Sequence, residues 1–114
     1  MWLYTVHGFF SVVQSLDNSD RLVVRARVRD HLENLVAGYL GFSSIVETPH
    51  ADYHYRTYCS RIVWRQVLGD IAANIDYPNF KEEASLQFEG DKKTRNVYVN
   101  CLHLVWNTTK SLLG

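Results

Sequence analysis

Apolar residues at the start of the chain follow the pattern of β-strands. Residues 2–14 are rich in aromatic and β-branched types and are interrupted only by Gly8, which predicts one long strand with a bend at the glycine. Residues 15–20 are turn formers, and residues 22–28 restore the strand pattern. The two runs therefore predict a first β-hairpin.

Apolar residues then recur at helical spacing, which predicts a helix. Asp30 is placed to cap this helix, and Gly41 is placed to end it. Its apolar positions are Leu32, Leu35, Val36, Tyr39 and Leu40. The first part of the chain thus has the order ββα.

A second unit of the same order follows. Residues 44–48 and 52–59 predict two short strands, and Ser60 is placed to cap a helix. The apolar stripe of this helix is Trp64, Val67, Leu68, Ile71, Ala72 and Ile75. The order of elements repeats, although the residues of the two units are not similar.

The C-terminal part predicts a further helix. Residues 81–93 are polar and predict a short helical turn before a loop around Gly90. Residues 94–113 predict a helix with two adjacent apolar stripes, wider than one packing surface needs. One stripe is Val97, Cys101, Leu104, Val105, Thr108 and Leu112, and the other is Tyr98, Leu102, Trp106 and Leu113. This helix either lies between two layers or meets a partner, so Tyr98, Leu102 and Trp106 are interface candidates.

These elements together predict a single α+β domain over residues 1–114. Two hairpins form an antiparallel sheet of about four strands in the order ββαββα, with helices on one face and an additional C-terminal helix. With 46 % hydrophobic residues, the chain has enough apolar material for a core.

Charge and cysteine usage narrow the functional class. Twelve Lys and Arg balance twelve Asp and Glu, so the protein exerts no long-range attraction on nucleic acid or on an anionic membrane. The first residues lack the pattern of a signal peptide, and no apolar run is long enough to span a bilayer, which predicts a cytoplasmic protein. Cys59 and Cys101 lie far apart, which predicts reduced, packed thiols, and no cofactor is predicted.

Three arginines alternate with small apolar residues at positions 25–29. On a strand this period puts Arg25, Arg27 and Arg29 on one face. The second predicted hairpin adds His54, Arg56 and Tyr58 to that face. This candidate binding face is either a hydrated surface with Glu47 or Asp52 pairing the arginines, a contact with another protein or a second copy, or a site for an anion such as single-stranded nucleic acid.

The histidines are weaker candidates for a functional site than the arginines. His50, Asp52 and His54 form an H-x-D-x-H pattern, but the ends of a straight five-residue strand lie about 13 Å apart, too far to share one ion. No metal site is therefore predicted. His7 precedes Gly8, where a missing side chain allows close approach of backbone or ligand beside an imidazole.

Four segments resemble a group of small, uncharacterised, single-domain bacterial proteins. They are the opening W-x-x-T-x-H-G-F-F-S-V-V, the R-A-R strand at 25–27, D-Y-x-Y-R at 52–56 and I-D-Y-x-N-F-K at 75–81. The resemblance implies no activity. It implies that Arg25, Arg27 and Arg56 belong to one recurring framework. The same framework includes a candidate pocket, formed by His7, Tyr53, Tyr55, Asn79 and Lys81.

The function we expect is that of a non-enzymatic binding or interaction domain, as a homodimer. Its contact surface is the arginine and tyrosine sheet face, the last helix, or both. Two alternatives stay open. One is a small enzyme with His7 or His54 as acid or base and Tyr55 and the arginines holding an anionic small molecule, and the other is a binder of single-stranded nucleic acid.

Overall fold

Three strands and a helix are followed along the chain by two further strands and three helices. The computed structural model describes residues 1–88 and 90–114. The strands are Trp2–Thr5 (β1), Gly8–Gln14 (β2), Arg21–Ala26 (β3), Val46–Glu47 (β4) and Tyr55–Ser60 (β5). The helices are Arg29–Val36 (α1), Arg61–Ala73 (α2), Phe80–Gln87 (α3) and Lys92–Thr109 (α4), followed by a 3₁₀ turn at Lys110–Leu113.

All pairings in the sheet are antiparallel, in the order β1-β2-β3-β5-β4. The predicted α+β class is therefore confirmed, with five strands where about four were expected. In the region predicted as a helical turn and loop, the structure has a full helix, α3, and Glu89 lies outside the described residues.

The first strand was predicted as one bent strand, and the structure instead has a tight hairpin. Thr5 pairs with Gly8, so only Val6 and His7 form the turn. The Thr5 hydroxyl accepts a hydrogen bond from the His7 N–H (3.0 Å) and donates one to the Gly8 carbonyl (3.2 Å). Gly8 has a φ of 138°, a conformation that side-chain-bearing residues rarely adopt. The glycine thus permits a reversal of the chain where the pattern indicated only a bend.

Three local boundaries also differ from the sequence prediction. The strand predicted at residues 44–48 is reduced to an edge pair, Val46–Glu47. Helix α1 begins without a side-chain cap from Asp30, and it ends before Gly38, whose φ is 85°, instead of reaching Gly41. The Ser60 cap is present, because its hydroxyl accepts a hydrogen bond from the Val63 N–H at 3.2 Å.

The main core lies between one face of the sheet and helices α1 and α2. Leu32 and Leu35 of α1 and Trp64 and Val67 of α2 are buried there. The buried sheet residues are Phe10, Val12, Leu22, Val24, Ala26 and Cys59. This alternation along β2, β3 and β5 fixes the register, since a shift by one residue would bring the opposite face into the core.

A second, smaller core joins α3 and α4 to the β1–β2 hairpin. Its buried residues are Ala84, Phe88, Tyr98 and Leu102. Tyr4 and Phe9, which are directly paired across β1 and β2, pack against this cluster. The Tyr98 hydroxyl donates a hydrogen bond to the Thr5 carbonyl at 2.7 Å. The C-terminal helices therefore cover part of the sheet face that lies opposite the main core.

Gly8 also provides the space that His31 of α1 occupies. A Cβ atom on Gly8 would overlap the His31 imidazole, whereas a Cβ on Gly38 would meet no atom within 4 Å. Both glycines have positive φ, so a side chain strains the backbone at either position, and the overlap with His31 is added at Gly8.

We therefore expect Gly8→Ala to destabilise the fold by more than ~3 kcal/mol, because it adds overlap with a buried ring to backbone strain. Gly38→Ala, the matched control, should cost only ~1 kcal/mol of backbone strain. Urea denaturation of the two variants measures the difference. Equal costs would show that the contact between Gly8 and His31 is not tight.

Candidate functional site

Strand register brings arginines from two strands onto one face of the sheet. Arg25 of β3 lies opposite Arg56 of β5, and Val23 lies opposite Tyr58. Residues opposite each other in an antiparallel pair point to the same side, and Arg21 shares the phase of Val23 and Arg25. This side is the one that faces away from α1 and α2.

Aromatic rings hold the guanidinium groups of this face. The guanidinium carbon of Arg21 lies 4.2 Å from the ring centre of Tyr58. Those of Arg25 and Arg27 lie 4.9 Å and 4.7 Å from the ring centre of Tyr53, which lies just before β5. These distances allow cation–π attraction. We call this surface the arginine face, formed by Arg21, Arg25, Arg27 and Arg56 with Tyr53 and Tyr58.

No carboxylate of the described residues neutralises the arginine face. Among residues 1–88 and 90–114, the sole ion pair within 4.0 Å joins Arg29 to Glu33 at 2.8 Å, and it lies on α1. The pairing with Glu47 or Asp52 that the sequence allows does not form. Arg25 instead donates a hydrogen bond from Nη2 to the Ser11 hydroxyl at 2.7 Å. Four positive charges thus lie on one sheet face, and the part of the chain that the structure describes places no carboxylate at ion-pair distance from them.

Some nitrogens of these arginines are also unpaired. In the described part of the chain, the buried Nε atoms of Arg21, Arg25 and Arg56 have no hydrogen-bond partner. Arg25 and Arg56 are directly opposed like charges, an arrangement that destabilises a sheet. The arginine face therefore costs the fold free energy.

Four of the six residues of the candidate binding face lie on the arginine face: Arg25, Arg27, Arg56 and Tyr58. The placement of Arg29 on it was wrong, because β3 ends at Ala26 and Arg29 begins α1. His54 is exposed in the bend before β5, with its ring 6.3 Å from that of Tyr55. Arg21 was missed, and Tyr53 was assigned to the candidate pocket and not to this face. The two-residue period, extended backward from Arg25 through Val23, leads to Arg21, so the sequence pattern could have identified Arg21.

The residues of the candidate pocket are not brought together. Tyr53 lies on the arginine face, while Tyr55 packs against the main core. The Asn79 side chain caps α3 by accepting a hydrogen bond from the Glu82 N–H at 3.0 Å. The Lys81 ammonium lies 4.4 Å from the ring centre of Trp106.

His7 lies elsewhere again. It is half-buried in a cavity that Tyr39 and Asp70 also line, and burial lowers its pKa. The Tyr39 hydroxyl donates a hydrogen bond to Asp70 at 2.6 Å, which raises the Tyr39 pKa to about 12. His7 therefore has no arginine-face residue in its cavity, and His54 is exposed at the surface. The geometry for acid–base catalysis described from the sequence does not form.

The interface candidates of α4 divide into two groups. Tyr98 and Leu102 are buried in the second core and face their own chain. Trp106 is 50 % exposed, with the ammonium groups of Lys81 and Lys110 at 4.4 Å and 4.0 Å from its ring centre. Of the three, Trp106 alone is accessible to a partner.

His31 is a residue that the sequence pattern did not single out. It is 5 % exposed, and its Nδ1 accepts a hydrogen bond from the Phe9 N–H at 3.3 Å. The rings of Phe10, Phe88 and Tyr98 surround it, with centres at 5.3–6.4 Å. Burial lowers the His31 pKa from 6.5 to about 4, so the imidazole is neutral at pH 7.

The neutral tautomer of His31 follows from this hydrogen bond. Because Nδ1 is the acceptor, Nε2 carries the proton. Nε2 is buried and has no partner within the described residues, which adds a desolvation cost. His31 thus joins α1, β2 and the second core at some expense in free energy.

Comparisons with known proteins give no relatives: no protein-family model matches the sequence, and no curated protein or solved structure is similar to it at a significant level. Among the residues that the structure describes, no group of three or more His, Cys, Asp or Glu side chains is placed to hold a metal ion. In the same part of the chain, no helix has both the length and the apolar character to cross a membrane.

The lowered pKa of His31 predicts a loss of stability in mild acid. Between pH 6.5 and about 4 the unfolded imidazole binds a proton that the folded one does not, so stability falls as pH falls through this window. We expect ~3 kcal/mol from His31, and His7 acts in the same direction.

Urea denaturation as a function of pH measures this loss. His31→Gln should be less stable at pH 7 but should have a shallower dependence on pH below 6.5. His103→Gln, at an exposed position on α4, is the control and should behave like the wild type. Parallel curves for the wild type and His31→Gln would contradict the assignment.

Proposed function

We propose that this protein is a non-enzymatic binding domain that holds an anionic partner on its arginine face. The observation that carries the proposal is the group of four arginines on one sheet face with no carboxylate at ion-pair distance in the described part of the chain. A fold that bears the cost of opposed like charges gains that free energy back when an anion binds between them.

The aromatic contacts support this proposal by restricting the arginines before binding. Arg21 stacks on Tyr58, and Arg25 and Arg27 share Tyr53. A guanidinium whose stem is already held loses less side-chain entropy when it binds an anion than a free lysine does. Carboxylates and phosphates both match the two-pronged geometry of arginine.

Single-stranded nucleic acid is a second candidate partner, favoured by Trp2. This residue lies opposite Ser11 on β2, which itself lies opposite Arg25, so Trp2 is on the same side of the sheet as the arginine face. Its indole is 70 % exposed. An exposed aromatic ring beside arginines is the arrangement that stacks a base and pairs the adjacent phosphate.

Two probes of matched length test the anionic partner, namely a labelled oligothymidylate of 20 nucleotides and a polyglutamate peptide of 20 residues. We expect binding of at least one of them to weaken with salt. If the four arginines pair with oligothymidylate phosphates, the logarithm of its binding constant falls with the logarithm of salt concentration with a slope of about −3.

The variants Arg25→Ala and Arg56→Ala should each weaken binding and reduce this slope by about 0.7 for oligothymidylate. Arg65→Ala is the matched control, because Arg65 lies on α2 and not on the arginine face. Tighter binding of oligothymidylate than of polyglutamate supports the nucleic-acid candidate, and the reverse supports an acidic protein. Failure of both probes to bind, or equal effects of all three substitutions, would overturn the proposal.

The homodimer expected from the sequence stays a prediction. Large apolar side chains remain exposed toward the end of α4 and in the 3₁₀ turn, namely Leu104, Trp106, Leu112 and Leu113. Burial of such a surface against a second copy would stabilise a dimer. Light scattering at increasing concentration should give twice the chain mass of 13.2 kDa. A constant mass of one chain contradicts the dimer and leaves the arginine-face proposal intact.

A further inference from the structure

A cavity of about 430 Å³ lies between α4 and the β1–β2 hairpin. This volume is in the range of small-molecule sites, roughly 300–1,000 Å³. The hairpin, the start of α1 and the first half of α4 each contribute to its wall. The lining residues are Tyr4, Phe9, Arg27, Val28, His31, Lys93, Thr94, Val97, Tyr98 and Cys101.

The cavity accounts for apolar residues of α4 that the second core does not use. Val97 is 60 % exposed and Cys101 is exposed, although both belong to an apolar stripe of that helix. They line the cavity together with Phe9. The residues thus form an accessible apolar surface recessed into the protein, which suits a ligand with an apolar body.

The charged residues of the cavity are of one sign. Arg27 and Lys93 are exposed and line it, and the lining formed by residues 1–88 and 90–114 includes no Asp or Glu. His31 is part of the wall and is neutral at pH 7, because burial lowers its pKa to about 4. An apolar recess lined by two cations is complementary to a ligand that has an apolar body and one negative group.

We propose that this cavity binds a small amphipathic carboxylic acid. The apolar body of the acid lies against Phe9, Val97 and Cys101, and its carboxylate pairs with Arg27 and Lys93. Inorganic anions lack the apolar body, and neutral alcohols lack the charge, so both should bind more weakly. The site shares Arg27 with the arginine face but is otherwise separate from it, because Arg21, Arg25 and Arg56 do not line the cavity.

The two cysteines provide a direct readout of occupancy. Cys101 is an exposed free thiol in the cavity wall. Cys59 is buried in the main core, and burial raises its thiol pKa to about 11, so it reacts slowly. The rate of alkylation by iodoacetamide at pH 8, followed by mass spectrometry of the intact chain, therefore reports on Cys101.

The probe is decanoate below its micellar concentration, with decan-1-ol and inorganic phosphate as matched comparisons. We expect decanoate to slow alkylation of Cys101 at least fivefold, in a saturable manner, and the other two compounds to slow it less than twofold. The double variant Arg27→Ala/Lys93→Ala should lose most of the protection by decanoate. Arg65→Ala on α2 should retain it.

Two results would overturn the proposal. One is no protection by decanoate at any concentration below the micellar limit. The other is equal protection by decanoate and decan-1-ol, unchanged in Arg27→Ala/Lys93→Ala, which would indicate non-specific apolar adsorption.

Val97→Trp, which fills the cavity from an exposed position, provides an independent check: decanoate should no longer change its two-dimensional NMR spectrum. Loss of oligothymidylate binding in Arg25→Ala, without loss of decanoate protection in the same variant, would separate this site from the arginine face.

Discussion

The hydrogen bond between the Phe9 N–H and His31 is the contact on which the other features depend. Strand β3 pairs with β2 only as far as the Ser11–Arg25 pair and then leaves the sheet, so the Phe9 N–H has no strand partner on that side. A buried N–H without an acceptor is costly. Nδ1 of His31 accepts it at 3.3 Å, and the glycine at position 8 leaves room for the imidazole. The turn of the chain from β3 into α1 is therefore possible because one side chain completes the edge of β2.

This departure of β3 affects two features on the sheet face that lies opposite the main core. Arg27 lies beyond the last residue of β3, and its guanidinium can reach both the ring of Tyr53 and the cavity beneath α4. On the same face of the sheet, the His31 ring contacts Phe88 and Tyr98, which fixes the second core against α1. The arginine face and the cavity thus share a boundary at Arg27, although different residues form the rest of each. A stable junction at His31 is required for both.

The sequence indicated the sheet face more reliably than its limits. The two-residue period correctly placed Arg25, Arg56 and Tyr58 on one side, because alternation is a local property of a strand. The inclusion of Arg29 failed because the end of β3 is set by a tertiary contact, the one between His31 and β2, and not by a local breaker. The hairpin at Thr5–Gly8 was missed for a related reason. Its turn lacks the Asn-Gly or Asp-Gly signal that marks most tight hairpins, and a side-chain hydroxyl closes it instead.

Hydrophobic periodicity does not predict contacts between residues that are distant in the sequence. His31 stands in a short amphipathic helix as an unremarkable polar residue, and only the fold brings it to Phe9, Phe88 and Tyr98. Likewise, the two apolar stripes of α4 were visible, but which of them is buried depends on where the helix docks. Tyr98 and Leu102 pack inward, while Val97 and Cys101 line a cavity. The first half of the wide apolar arc is therefore used within the chain, whereas Leu104 and Trp106 stay exposed.

A net charge of zero limits anion binding at the arginine face less than it first suggests. Zero net charge removes long-range steering, which governs how fast an anionic partner arrives. Affinity at contact depends on charges within about one Debye length, roughly 8 Å at physiological salt. On the arginine face, Arg25 lies opposite Arg56, and Arg25 and Arg27 share the ring of Tyr53, so a bound anion meets several guanidinium groups at close range. A locally cationic surface on a neutral protein is expected to bind slowly and to discriminate by geometry, because only an anion that fits the spacing of the arginines gains from all of them.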